Sequence, residues 1–487
     1  MEKFNIVIFL IDSQKPDNLH CYGYHKETSP NIDRVAREGL TFMNNFTCCA
    51  WTPPSHASLF TGRYYSGHQT VCLGGGKTRM PEDIPTMAEA LNGLGYETAA
   101  FSNNFWVNND EGGVLRGFKD CFYPSFLRRH DRKYREIEMK LFDEMDEPER
   151  RDSGSLLTTY LVKEWLKDRI EKPFMIFINF MEVHHPYHPP EPFRSRFYPP
   201  GVDDEEAKRV PQMTGDGVWS KGFPRTPFEW LILQALLDGE TAVVDNRIGL
   251  ILEYLKEMGI YDNTIIVITS DHGDTLWEHL KCPSHSSLYD SNIHTPLIVK
   301  GPDEYSKGEK VENITQIVDI FPTIAEMLKI RDSRILRSIQ GTSLSSALTE
   351  EPKRNFAIAE MRNPFVGWIA ECWCKAIRTM NYKYIWCSSE VIWRMAPDSP
   401  PHPQITSPHE KEELFNLKED PLEQYNLIKC KEAPFEFSRE KIAQTVKCLR
   451  EKLERFLESL EIPPVKVPKE IYKKMKAWGQ YQEIIPI

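Results

Sequence analysis

Three short runs constrain the fold of this chain more than any other feature: Phe4–Ile11, Phe174–Phe180 and Thr264–Thr269. Each is nearly continuous in apolar side chains, rich in β-branched or aromatic residues, and turns polar beyond its carboxyl end. A strand that is apolar on both faces has to be covered on both faces, and helices on either side of a sheet provide that cover. Helical patterns are present in the right places. Asn31–Gly39, Thr86–Gly95, Leu156–Ile170 and Phe228–Gly259 read as helices, and Tyr96–Phe101 as a further strand. Strands alternating with helices imply an α/β fold built on a mostly parallel sheet. Ligands of such sheets sit at the carboxyl ends of strands. Asp12, the segment around His184, and Asp271 all follow strand ends of this kind.

Beyond about Thr349 the texture changes. Phe356–Ala359, Cys374–Arg378 and Tyr382–Trp386 read as short meandering strands, Ser388–Glu410 as a Pro/Ser/His-rich loop, and Ser438–Leu460 as a helix. The expected organisation is a catalytic α/β domain over 1–349 and a smaller C-terminal α+β subdomain over 350–487, which 487 residues can accommodate. A composition of 40% hydrophobic and 27% charged residues excludes disorder. A net charge of −11 without long basic runs argues against nucleic acid as a partner. No window approaches the ~20 apolar residues of a membrane span, and the run ending at Ile11 lacks the basic leader and cleavage site of a signal peptide. Eleven cysteines are scattered without a C-x2-C pair, and Cys372 and Cys374 are one residue apart. Reduced thiols in a cytoplasmic protein are expected. A homo-oligomer is allowed and not specified.

The chemistry concentrates in two segments. In Thr52-Pro53-Pro54-Ser55-His56-Ala57-Ser58-Leu59-Phe60-Thr61-Gly62-Arg63, the prolines suit the opening of a helix and Gly62 its left-handed end. A hydroxyl at such an N-terminus sits among free N–H groups at the positive end of the dipole, where phosphate or sulfate binds. The alternative is a plain threonine cap. In Ser270-Asp271-His272-Gly273-Asp274, a carboxylate and an imidazole leave a strand end together and suit Mn²⁺, Mg²⁺, Ca²⁺ or Zn²⁺. Asp-Gly turns are common, so that run gains its weight from Asp12 and Thr52.

The first segment resembles the C/S-x-P-S-R-A-S-L-L-T-G-R signature of the sulfatase-like branch of the alkaline phosphatase superfamily. Ser55 and Ala57 to Gly62 keep the frame and Arg63 closes it. Thr52 stands where sulfatases oxidise a residue to formylglycine, and His56 where they carry arginine. A secondary alcohol cannot become an aldehyde at its own carbon, so no formylglycine is expected. Glu413 to Leu417, Asp420-Pro421, Glu423 and Asn426-Leu427 resemble the family's late E-L-Y-D-L-x-x-D-P-x-E-x-x-N-L segment. The resemblance therefore reaches both ends of the chain.

It implies an alkaline-phosphatase-like sheet sandwiched by helices and a divalent ion held by Asp12, Thr52, Asp271 and His272. Asp12 is followed by Ser13 where many sulfatases have a second aspartate, a trait shared with phosphonate- and phosphodiester-cleaving relatives. His184, within Met181–Pro190, resembles the histidine of the H-x-P-Y/F loop that faces the leaving group, a position suited to a general acid; a solvated His/Pro loop is the alternative. His285 falls at the lysine that neutralises sulfate oxygens, and Glu278-His279 resembles the family's E-H. Fixed cations have thus become histidine at His56 and His285. Asn103 and His279 are expected to line the substrate site, and the inserts Asn103–Gly113, Glu191–Phe228 and Ser388–Glu410 to shape it.

The reading that follows is a metal-dependent hydrolase of small-molecule phosphoesters, whether diesters, monoesters or phosphonate monoesters, with Thr52 as nucleophile. A sulfuric ester hydrolase without formylglycine is the alternative. It meets a chemical obstacle, because a formylglycine hydrate expels sulfate by breaking its own C–O bond and Thr52 has no second hydroxyl. A non-catalytic binding protein is the third reading, and the retained Asp12, Asp271 and His272 weigh against it. The number of ions and the alcohol part of the substrate stay open.

Overall fold

A computed structural model describes residues 3–70, 79–108, 112–145, 152–212, 224, 226–279, 285, 287–302, 305–362, 373–388, 409–460, 465–467 and 484–486. Its main sheet has eight strands: β1 Asn5–Ile11, β2 Leu40–Phe46, β3 Glu97–Ser102, β4 Asp120–Phe122, β5 Phe174–Phe180, β6 Thr264–Thr269, β7 Leu297–Lys300 and β8 Glu309–Gln316. Their order is β4-β3-β5-β1-β6-β7-β2-β8, and β7 alone runs antiparallel to both neighbours. The strand β1 lies between β5 and β6, with Ile11 opposite Phe180 and Leu10 opposite Thr269. In this register Asp12 and the segments after Phe180 and Thr269 leave one edge of the sheet together.

The two faces of β1 fill two cores, as the period of two requires. Ile6, Ile8 and Leu10 pack with Leu59 and Phe60 of the helix Thr52–Thr61 and with Phe321 and Ile324. Val7, Phe9 and Ile11 pack with Leu157 and Val162 of Ser155–Leu166 and with Val244 and Ile248 of Pro227–Glu257. Each such side chain contributes about 1.5–3 kcal/mol on burial, so the central strand is the best-anchored element of the site. The long helix begins on a capping box between Thr226 and Glu229.

A second, antiparallel sheet has the order β12-β11-β10-β9, with β9 Ala357–Arg362, β10 Trp373–Arg378, β11 Tyr382–Cys387 and β12 Glu412–Asn416. One of its faces packs under Leu449, Leu453 and Leu457 of the helix Arg439–Ser459. The other buries Ala376 and Ile385 against Phe46, Leu288 and Tyr289, which brings this sheet beside the loops that carry the site. The expectation of reduced thiols throughout is corrected at one pair: Cys374 and Cys387 face each other across β10 and β11, with Cα atoms 4.1 Å apart, and are disulfide-bonded. Cys372 lies outside the described residues, as do residues 389–408 of the Ser388–Glu410 loop and parts of the other two inserts. Among the described residues, no helix is long and apolar enough to cross a membrane.

Candidate active site

Thr52 is not a helix cap. Trp51, in extended conformation (φ −160°, ψ 163°), occupies the cap position; Thr52 is the first helical residue, and Pro53 and Pro54 are the second and third. The Trp51 side chain makes no capping bond, and Thr52 Oγ1 lies 3.3 Å from His272 Nε2. All ten residues of this helix are buried. Gly62 ends it in the left-handed region (φ 63°) and donates to the Ser58 carbonyl at 2.9 Å. The Ser55 hydroxyl donates to the Asp271 carbonyl at 2.7 Å, tying the helix to the strand end opposite.

Asp12, Asp271 and His272 are fully buried and present ligand atoms within 4.8 Å of one another. Ser13 adopts φ 65°, uncommon for a residue other than glycine, and its N–H reaches Asp271 Oδ1 at 3.3 Å. The His272 N–H donates to the same oxygen at 3.0 Å. Asp271 Oδ2 has no hydrogen-bond partner and lies 3.4 Å from His272 Nε2 and 3.7 Å from His56 Nδ1. Asp12 Oδ2 accepts from Asn104 Nδ2 at 2.8 Å, and Oδ1 lies 3.8 Å from His272 Nε2. Burial pushes the His272 imidazole down to about 3, so the ring is neutral, and burial raises the Asp271 carboxyl. His272 Nδ1 faces the Gly273 carbonyl at 3.3 Å, which leaves Nε2 as its lone-pair nitrogen. Two buried carboxylates, one with an orphaned oxygen, beside a neutral imidazole and a hydroxyl are a costly assembly without a cation and a fitting donor set for a divalent one.

His56 lies behind this set. Its Nδ1–H donates to the Thr52 carbonyl at 2.8 Å, one helical turn back, and its ring stands edge-on to Phe177. A second cluster forms where the loop after β5 meets the loop after β6. Asp274 accepts from His185 Nδ1 through Oδ2 and from His285 Nδ1 through Oδ1, both at 2.9 Å. His184 Nδ1–H donates to the His185 carbonyl at 2.8 Å. Val183, a β-branched residue, is held at φ 85° immediately before them, backbone strain of the kind that collects at functional sites. Burial holds the His185 imidazole at about 4, whereas at His285 burial is outweighed by Asp274 and the ring is raised.

The structure thus brings Asp12, Thr52, His56, Asp271 and His272 together and sets His184 and His285 beside them. Two expected lining residues are placed elsewhere. Asn103 spends its amide on the scaffold, donating to Thr158 Oγ1 and accepting from the Ser125 N–H, both at 2.9 Å. The asparagine beside Asp12 is its neighbour Asn104. His279 stacks on Tyr289 with centroids 3.6 Å apart and lines a separate cavity of about 290 Å³ with Lys15, Asp17 and Arg378. Asp274, which holds both His185 and His285, is a further site residue that sequence reasoning missed. The one available signal was position: Asn104 follows β3, and Asp274 follows β6.

A hydroxyl on the first turn of a helix, two carboxylates and an imidazole converge here, and the proteins this chain is similar to place it among ester hydrolases. The Sulfatase family model matches residues 4–330, two-thirds of the chain and all eight strands of the main sheet, and the chain belongs to that family. The multifunctional alkaline phosphatase superfamily protein PehA of Trinickia caryophylli is 26% identical over 413 residues, 72% of this chain and 78% of its own. The Delta 4,5-hexuronate-2-O-sulfatase of Bacteroides thetaiotaomicron is 25% identical over 461 residues, 88% and 85% of the two chains. Among solved structures, the phosphonate monoester hydrolase of Agrobacterium radiobacter superposes with a TM-score of 0.70 at 21% identity, covering 94% of this chain and 96% of that one. A 2-O GAG sulfatase gives 0.67 at 19% identity, covering 100% and 96%. At these identities the structural likeness establishes the fold.

Proposed function

We propose that this sulfatase-family enzyme hydrolyses phosphoesters, whether diesters, monoesters or phosphonate monoesters, with Thr52 as nucleophile and a divalent cation held by Asp12, Thr52, Asp271 and His272. The observation that carries this reading is the Thr52 hydroxyl itself, on the first residue of a buried helix and 3.3 Å from His272 Nε2. When bound, the cation lowers the hydroxyl pKa and neutralises charge on a nonbridging oxygen. Thr52 Oγ1 forms a bond to phosphorus while the bond to the leaving oxygen breaks and its electron pair departs with that oxygen. The hydroxyl proton passes to solvent. His184, anchored through Nδ1, gives a proton to the departing oxygen, which leaves as the alcohol, and His56 backs Asp271. Water then attacks the phosphothreonine and restores Thr52. Residues 1–349 form the catalytic unit in this reading, and the antiparallel sheet of the C-terminal subdomain 350–487 lies beside its loops.

Thr52 lacks the second hydroxyl by which a formylglycine hydrate releases sulfate, and this favours phosphorus. The name of the Agrobacterium phosphonate monoester hydrolase points the same way, whereas that of the Bacteroides sulfatase points to sulfate esters. Intact-mass analysis of protein trapped with a slow phosphoester is the test, with one phosphoryl group expected on Thr52 and none in Thr52→Ala. A panel of aryl phosphate monoester, diester, phosphonate and sulfate, run with several metals, ranks the substrates. Phosphorylation elsewhere, or normal turnover by Thr52→Ala, overturns the mechanism, and a preference for the sulfate ester would establish the sulfuric ester reading instead.

A further inference from the structure

Arg378 and Lys383 face each other in the register of β10 and β11, and Arg378 lies over the Phe46 ring of β2 at 4.4 Å. Two cations directly opposite on one ladder repel, and an anion between them removes that cost. Asp290, from the connection between β6 and β7, is that anion. Its Oδ1 pairs with Lys383 Nζ, and its Oδ2 lies 3.3 Å from Arg378 Nη2. The Lys383 side chain is fully buried, and its Nζ also lies 2.7 Å from Glu423 Oε1 and donates to the Leu288 carbonyl at 3.1 Å. Glu423, held at φ 56°, accepts from the Asp290 N–H through Oε2. Burial would raise the Asp290 carboxyl, but Lys383 and Arg378 outweigh it, so its pKa is lowered and the group is ionised. A buried ion group adds little net stability over apolar residues of the same volume, and fixing register is its best-attested use.

What these charges fix is the short helix Asp290–Ile293, which is bonded to both halves of the site. On one side, the Asn292 carbonyl accepts from the Gly273 N–H at 2.8 Å, and Ser291 Oγ meets Thr275 Oγ1 at 2.7 Å. The turn that carries Asp271 and His272 hangs on these bonds. On the other side, the Ile293 carbonyl accepts from the Thr47 N–H at 2.8 Å, and Thr47 Oγ1 meets Ser55 Oγ of the Thr52 helix at 2.9 Å. We propose that Lys383 and Arg378 are positioning residues of the active site. Through Asp290 they set the helix Asp290–Ile293, and through it the placement of Thr52 against the Asp271–His272 turn. The C-terminal subdomain thereby governs the geometry of the reaction while touching none of the reacting groups. That this placement sets the rate rests on the proposed function.

The test compares three variants of the full chain. Lys383→Met removes the charge at similar length and strands Asp290 and Glu423. Lys383→Met/Glu423→Gln removes one charge of each sign and leaves Asp290 with Arg378. Arg354→Ala is the stability control, because it strands Asp319 of a buried pair that shares none of these contacts. The measurements are kcat and KM on whichever ester of the panel the wild type turns over fastest, Mn²⁺ affinity of the chelator-stripped protein, and the urea midpoint. Lys383→Met should lose about 10–100-fold in kcat with KM little changed, as a displacement approaching 1 Å requires, and should bind Mn²⁺ about 10-fold more weakly. The double variant should regain the urea midpoint and keep the loss in kcat, whereas Arg354→Ala should lose the midpoint and keep kcat. A kcat that follows the urea midpoint across the three variants, or a wild-type kcat in Lys383→Met, overturns the positioning role. A wild type that turns over only the sulfate ester would overturn the proposed function and leave this comparison standing.

Discussion

Replacing Gly273 by alanine tests how closely the Asp271–His272 turn is held. A methyl built on Gly273 would lie 2.8 Å from Lys15 Cγ and well under 3.0 Å from the Ser291 carbonyl oxygen. The lysine stem can yield, but Ser291 contributes backbone. Its segment is pinned by Gly273 N–H donating to the Asn292 carbonyl at 2.8 Å, by Asn292 Nδ2 donating to the Gly273 carbonyl at 3.1 Å, and by the Thr275–Ser291 hydroxyl pair at 2.7 Å. The turn must therefore retreat by roughly 0.6 Å, at an overpacking cost of about 1–3 kcal/mol. His272 and Asp271 precede Gly273 directly, so the retreat displaces them relative to Thr52. Misplacement near 1 Å costs up to about 10²-fold in rate, which sets the expected loss in kcat/KM at on the order of 10–100-fold. Turnover of an aryl phosphonate, metal content and thermal unfolding are measured together, with Gly93→Ala as control because nothing lies within 4 Å of its added methyl. Wild-type turnover by Gly273→Ala would show that the turn tolerates displacement and refute the geometric basis of the site.

Asp12→Ala and Asp271→Ala should each abolish turnover and release the ion held at Asp12, Asp271 and His272, with melting of the apoprotein little changed; activity surviving exhaustive chelation would remove the metal from the mechanism. His184→Ala should slow esters of poorly acidic alcohols by on the order of 10²–10⁴-fold and nitrophenyl esters far less, since only the former need help at the departing oxygen; equal losses would reassign His184 to positioning. Arg354 forms a buried ion pair with Asp319 and donates to the Tyr64 hydroxyl at 2.7 Å. Arg354→Ala should cost about 3–5 kcal/mol in urea unfolding by stranding that carboxylate, and a loss under about 1 kcal/mol would show the pair to be dispensable.

Local codes were legible in the chain. The strands β5 and β6 were read at their observed limits, and β1 within one residue, because a run apolar on both faces announces its own burial. The start of the Thr52 helix was written in its prolines, its end in Gly62, and the exit of Asp271 and His272 in the strand before them. The strands β2, β4, β7 and β8 were not read: Leu40–Phe46 and Glu309–Gln316 are mixed in polarity, and Asp120–Phe122 and Leu297–Lys300 are only three and four residues long. Their pairing comes from neighbours in the sheet and not from a pattern of their own. The same division runs through the site. Sequence placed candidates at the right edge of the sheet, but it could not say that Asn104 and not Asn103 turns toward Asp12, nor that His279 stacks on Tyr289 away from the cluster. Nor could it join Asp274 to His185, 89 residues away, and to His285 at once. Strand and helix signals repeat over neighbouring residues and survive being read alone, whereas the direction of a loop side chain is set by whichever distant donor or acceptor the packed chain brings within 3 Å of it.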